Sequence, residues 1–201
     1  MSSDIQSTFI EAAAADTDGI STAAAVGDGA NLVIGGALAS GGAVTFDQPR
    51  NITILSAGYD SGISFTFTGT DETGTSATES ITGANAGTAT GTAYFATITQ
   101  IAAVGDPAGN VSAGSGTSIA APMFRGRMRL RGIYAVNTGT AGTTTFRQTS
   151  SSGAVAMQFN TVASANTTQY PDIPDDGILF AGGGYVLYTQ TTLSSITVFY
   201  S

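Results

Sequence analysis

A chain of 201 residues is long enough for one or two domains, and 42% apolar residues can furnish a core, yet only 10% are charged and the net charge is −8. There is no Cys, His, Trp or Lys, so all six basic residues are Arg. That excludes disulfides and thiolate chemistry, the imidazole base and metal ligand, the Schiff-base lysine and the P-loop lysine.

The charge is unevenly placed. Residues 1–120 hold eleven acids against Arg50 alone, a net of −10, and residues 121–201 hold three acids against five Arg, a net of +2. An acidic half argues against a nucleic-acid partner, which would select a basic footprint. The first residues, with Asp4 and Glu11 and no apolar run, do not read as a signal peptide. No stretch reaches the ~18–20 apolar residues of a membrane span, so the expectation is a soluble protein made in a cytoplasm, with no membrane partner.

In chain order, residues 1–30 are rich in Ala, Asp, Ser and Gly. They predict an extended N-terminal arm that gains order by contact, or else a loose terminus. Ile5, Phe9 and Ile10 can start a short helix, which Gly19, Gly27 and Gly29 keep short. Strand signals begin at Leu32. Asn51–Ala57 reads as a buried strand, and Ile63, Phe65 and Phe67 alternate with Ser64, Thr66 and Thr68 as in a half-buried one. Thr70–Gly74 predicts a hairpin turn, followed by a return strand ending at Ile81, and Tyr94–Val104 is the longest strand candidate. These form a first β module over 31–118. The Gly/Ser/Ala run from Ala113 to Pro122 predicts a linker. Beyond it, Phe124–Val136, Thr143–Gln148, Ala154–Thr161, Gly177–Phe180, Tyr185–Gln190 and Leu193–Tyr200 predict the strands of a second module over 119–201. The fold class expected is all-β: two antiparallel β-sandwich or jelly-roll-like modules preceded by the arm.

Few residues suggest chemistry. Gly116-Thr117-Ser118-Ile119-Ala120-Ala121-Pro122 looks like the segment around a subtilisin-type nucleophile, but that Ser needs a His to take its proton and the chain has none. Asp71/Glu72 and Asp175/Asp176 are carboxylate pairs of the kind glycoside hydrolysis uses, yet both sit beside Gly, where Asp serves as a turn former. Asp16-Thr17-Asp18-Gly19 resembles a fragment of a calcium loop without the later ligands. No catalytic residue, cofactor or metal site is expected. Arg125, Arg127, Arg129 and Arg131 alternate with Gly126, Met128, Leu130 and Gly132. On a strand, the four guanidinium groups would share one face while Met128 and Leu130 point to the core. Four like charges on one face call for an anionic partner, best met by carboxylates of another subunit or a neighbouring protein. The plainer alternative is a solvated face braced by this chain's own acids.

Two stretches carry a family resemblance. Residues 49–116, with SGISFTFTGTDETG, ITGANAG, TAYFATITQI and AGNVSAGSG, resemble a module of virion structural proteins of tailed bacteriophages. RLRGIYAVNTGTAGTTTFRQTSSSGA and DIPDDGILFAGGGYVLYTQTTLSSITVFY are similar to another phage-associated β module. The resemblance implies a non-enzymatic virion component, made in the host cytoplasm. The role favoured is a capsid decoration (cement) protein, trimeric, that binds between capsomers with the major capsid protein or another virion protein as partner. A tail, neck or fibre-attachment component is the alternative. A third class, a carbohydrate-binding module, would need exposed aromatic platforms, for which Tyr185, Tyr188 and Tyr200 are the candidates.

Overall fold

The computed structural model describes residues 4–163 and 167–201, and among them it contains sixteen strands and no helix. The first eight are β1 (Gln6–Ile10), β2 (Ser21–Ala24), β3 (Ala39–Ser40), β4 (Ala43–Tyr59), β5 (Ser64–Asp71), β6 (Ser76–Thr82), β7 (Asn85–Thr90) and β8 (Phe95–Val104). They are followed by β9 (Val111–Phe124), β10 (Met128–Asn137), β11 (Gly142–Gln148), β12 (Val155–Thr161), β13 (Thr168–Gln169), β14 (Ile178–Phe180), β15 (Gly184–Thr189) and β16 (Leu193–Tyr200). The strands form antiparallel sheets of five and eleven strands, the sandwich-like all-β class that the alternation predicts. The chain divides into two compact units, a central one of Ala14–Thr117 and a terminal one of Met1–Ala13 with Ser118–Ser201.

In the central unit the strands run β9-β4-β8-β5-β6, with β2 on β9 and with β3 and β7 on β4. Strand β5 shows the reason in miniature: Phe65 and Phe67 are fully buried, while Ser64, Thr66 and Thr68 on the other face are half-buried. The hairpin to β6 closes where the Asp71 N–H donates to Thr75 O and the Gly74 N–H donates to Asp71 O. Gly74 has φ of 87°, a conformation that costs other residues a Cβ clash. Ile52, Ile54, Phe95, Ile98 and Ile101 join the two phenylalanines in the core, each such side chain contributing about 1.5–3 kcal/mol by leaving water.

The terminal unit has two sheets facing one core. One is β12-β11-β15-β9, to which β9 contributes Ser118–Phe124; the other is β1-β16-β10, with β13 and β14 both paired to β10. Ile119, Met123, Phe146 and Val186 from the first meet Leu130, Ile133, Ile196 and Val198 from the second. Strand β16 alternates Ile196, Val198 and Tyr200 inward with Ser195, Thr197 and Phe199 outward.

Two expectations change. The segment expected as a linker is the second-longest strand of the fold, β9, largely buried. Its small residues serve close approach rather than flexibility: a Cβ on Gly114 would strike the backbone of Asp16 and Thr17, and one on Gly116 would strike the Asn51 side chain. Residues expected as an arm are instead divided between the units. Strand β1 pairs with β16 from Gln6↔Tyr200 to Ile10↔Ile196, and Ile10 enters the terminal core. Ser21 and Ala24 pair with β9, and Ile20 is fully buried in the central core. Two isoleucines suffice because each sits where a sheet already supplies the partners.

Candidate interaction surface

The arginine series is not one ladder. Strand β10 begins at Met128, so Arg125 and Arg127 lie exposed in the turn after β9, where Gly126 has φ of 113°. Only Arg129 and Arg131 are on the strand, half-buried, with Met128 and Leu130 facing the core as expected. Between Leu130 and Gly132 the pairing with β16 shifts by one residue, a bulge that leaves Arg131 and Gly132 both off the core side.

The partners of these two arginines are backbone carbonyls and one serine hydroxyl of their own chain. Arg129 Nη1 donates to Asp176 O at 2.9 Å, and Arg131 Nη1 donates to Asp175 O at 2.8 Å while its Nε donates to Ser201 Oγ at 2.9 Å. The carbonyls belong to the turn Pro174–Gly177, closed by the Gly177 N–H on Pro174 O. The arginines thus satisfy loop carbonyls that no strand satisfies. None of Arg125, Arg127, Arg129 or Arg131 makes an ion pair among the described residues. The expected carboxylate bracing is absent from that set.

Around Arg129 and Arg131 the outer face of the five-stranded sheet carries large apolar side chains that sequence reasoning did not single out. Phe9 is 61% exposed, Phe199 and Leu179 are each 37% exposed, and Tyr170 is 69% exposed. Register places them together. Ser7 lies opposite Phe199 and Phe9 opposite Thr197; across the next pairing Phe199 lies opposite Gly132 and Thr197 opposite Tyr134; Leu179 lies opposite Arg129. A Cβ on Gly132 would touch the Phe199 ring at 3.4 Å, so the ring lies over that glycine. Tyr134 packs against Tyr170 with ring centroids 5.1 Å apart. One signal in the sequence could have found this face: Phe199 sits on the Ser195/Thr197 side of an otherwise clean alternation.

The remaining candidates fall into structural roles. Ser118 lies within β9, opposite Thr189, with no helix following it. Asp71 Oδ1 accepts the N–H groups of Thr73 at 2.8 Å and Thr75 at 2.9 Å and the Thr73 hydroxyl at 2.7 Å. Burial alone would raise its carboxyl, but the hydrogen bonds from Thr73, Thr75 and Gly74 outweigh it and hold the group below the ordinary carboxylate value. A general acid needs the opposite shift. Asp16 Oδ1 accepts the Asp18 N–H, and the Asp16 N–H donates to Ser115 Oγ, which ties this turn to β9. Among the described residues no three His, Cys, Asp or Glu side chains gather as metal ligands would. Tyr185, Tyr188 and Tyr200 are all buried, so none is an exposed platform.

Comparison of the chain with protein-family models, with curated proteins and with solved structures finds no match.

Proposed function

We propose that this protein is a non-enzymatic structural component of a tailed-bacteriophage particle, a capsid decoration protein that stabilises the head by binding between capsomers. The observation that carries this reading is the outer face of the five-stranded sheet. It combines Phe9, Phe199, Leu179 and Tyr170 with arginines that make no ion pair among the described residues. Aromatic residues and Arg are the side chains enriched at protein interfaces, and exposed apolar surface rimmed by charge marks such sites. The sequence adds its part: without His, Cys or Lys, the imidazole base, the thiolate nucleophile and the Schiff-base amine are missing. The resemblance of residues 49–116 and 129–200 to phage virion modules supplies the particle.

The test is to label tailed particles that encode the chain with gold-conjugated antibody raised against the purified protein. Decoration predicts dense label over the whole head. A few particles of gold at the neck or tail support a tail, neck or fibre-attachment component instead. Unlabelled particles overturn the virion reading altogether.

A further inference from the structure

The occupant of the arginine-aromatic face can be argued from charge. The terminal unit has five acids and five Arg and is neutral; the central unit has nine acids and Arg50 and carries −8, the charge of the whole chain. Arginines without an ion pair among the described residues, on a neutral unit, and a unit with a large acidic excess therefore exist on the same chain.

One end of the central unit has the matching composition. Asp28 Oδ1 accepts the Gly105 N–H at 2.7 Å, which fixes this exposed carboxylate beside the β8–β9 loop. Asp106 is exposed one residue further on. Val104, 58% exposed, precedes that glycine. Tyr59 is exposed in the same loop cluster, since Asp60 Oδ1 accepts the Ala108 N–H at 2.7 Å and a Cβ on Gly58 would strike Ala108. The cluster therefore presents two carboxylates beside a Val and a Tyr, against a face that presents guanidinium groups beside Phe, Leu and Tyr.

We propose that the outer face of the five-stranded sheet binds the Asp28–Asp106 end of the central unit of a second copy of this chain. This rests on the reading of that face as an interface, and not on the particle in which it works. Carboxylates meet Arg129 and the turn arginines Arg125 and Arg127, whose remaining N–H donors suit bidentate pairing. Phe9, Phe199 and Leu179 then cover Val104 and Tyr59. Because the two surfaces differ, the contact is heterologous: it propagates from copy to copy and closes as a ring or runs on as a filament. A nucleic acid would suit the arginines but be repelled by the central unit that each chain also carries.

The experiment uses the full purified chain alone, measured by sedimentation velocity over a range of concentration and salt. Self-association is expected, and raising salt from about 0.1 M to about 1 M, which shortens the Debye length from ~10 to ~3 Å, weakens it. Asp106→Arg raises the dissociation constant about tenfold or more, and Phe9→Ser, a change at an exposed position, raises it without altering the circular dichroism spectrum. Combining Arg129→Glu with Asp106→Arg in one chain restores association relative to Asp106→Arg, a rescue that lost folding could not produce. Should Arg129→Glu prove unstable because it also releases Asp176 O, Arg127→Glu replaces it in the swap. A monomer under all conditions overturns the proposal, as does association indifferent to Asp106→Arg or unrescued by the swaps. A monomer whose antibody still covers phage heads refutes this inference and leaves the decoration reading standing. Rescued association with unlabelled particles does the reverse.

Discussion

The two units solve the same backbone problem with opposite charges. Loops between strands leave polar groups unpaired, and in the central unit acids accept the stray N–H groups: Asp28 takes Gly105, Asp60 takes Ala108, and Glu79 Oε1 takes Thr92 and Ala93. In the terminal unit arginines donate to stray carbonyls instead: Arg129 to Asp176, Arg131 to Asp175, and Arg147 Nη1 to Gly153 at 2.8 Å. The difference follows from donor chemistry, since a carboxylate can only accept and a guanidinium can only donate. It also decides what each unit shows the outside. The central unit buries its Arg50 to 1% exposure, with Nη2 2.6 Å from Asp47 Oδ1 and the guanidinium over the Phe46 ring, and displays acids. The terminal unit keeps arginines and aromatics on its surface.

The most severe way to break this contrast is Leu130→Asp, which puts a carboxylate into the core between the two terminal sheets. It should cost more than about 4 kcal/mol and melt the terminal unit. The central unit, whose core shares no side chain with it, should retain a separate cooperative transition by calorimetry. Loss of both transitions would show that the units fold as one.

A second comparison sets the inward arginine against an outward one. Arg50→Met should destabilise the central unit by about 1–3 kcal/mol, because it removes the buried guanidinium's charge-assisted bond to Asp47 and its bond to the Gln48 carbonyl. Arg131→Gln should cost about 0–1 kcal/mol, since solvent can replace its bonds to Asp175 O and Ser201 Oγ at this half-exposed position. Urea denaturation of each variant checks the order, and equal losses would erase the distinction between a bracing and a displayed arginine.

The smallest effect expected is one of pH. Asp71 has its folded carboxyl value lowered from 3.8, so its contribution is present above that unfolded value and fades as pH falls through the lower folded one. Asp71→Asn should therefore be less stable than the parent near neutrality, by less than about 1 kcal/mol because the turn is open to solvent. The two should converge at acid pH. A constant gap from neutral to acid would mean that the side-chain geometry, not its charge, holds the turn.

The candidate interaction surface was half legible in the sequence. Alternation fixed Met128 and Leu130 as inward and Arg129 and Arg131 as outward, because strand period is a local property. It could not reveal that the chain leaves the strand before Met128, which takes Arg125 and Arg127 out of the series. Nor could it rank aromatics: Tyr185 and Tyr188 were as eligible for the surface as Tyr170, and only tertiary packing buries them, Tyr188 in the core between the two terminal sheets and Tyr185 on the opposite face of β15.

What the amino-acid sequence by itself determined is the all-β class, the β5–β6 hairpin with its Asp71 turn, and the inward faces of β5 and β10. Each is set within a few residues, by side-chain alternation or by a glycine in the left-handed region. Tertiary structure alone decided the rest. The Gly/Ala/Ser run of β9 composes like a linker, yet it becomes a buried strand because Asp16, Thr17 and Asn51 approach closer than any Cβ allows. The first 30 residues compose like an arm, yet Ile10 and Ile20 each complete a core whose other walls are built from residues far along the chain. Small residues state only that close contact is possible; which neighbours take it up is fixed by strands remote in sequence.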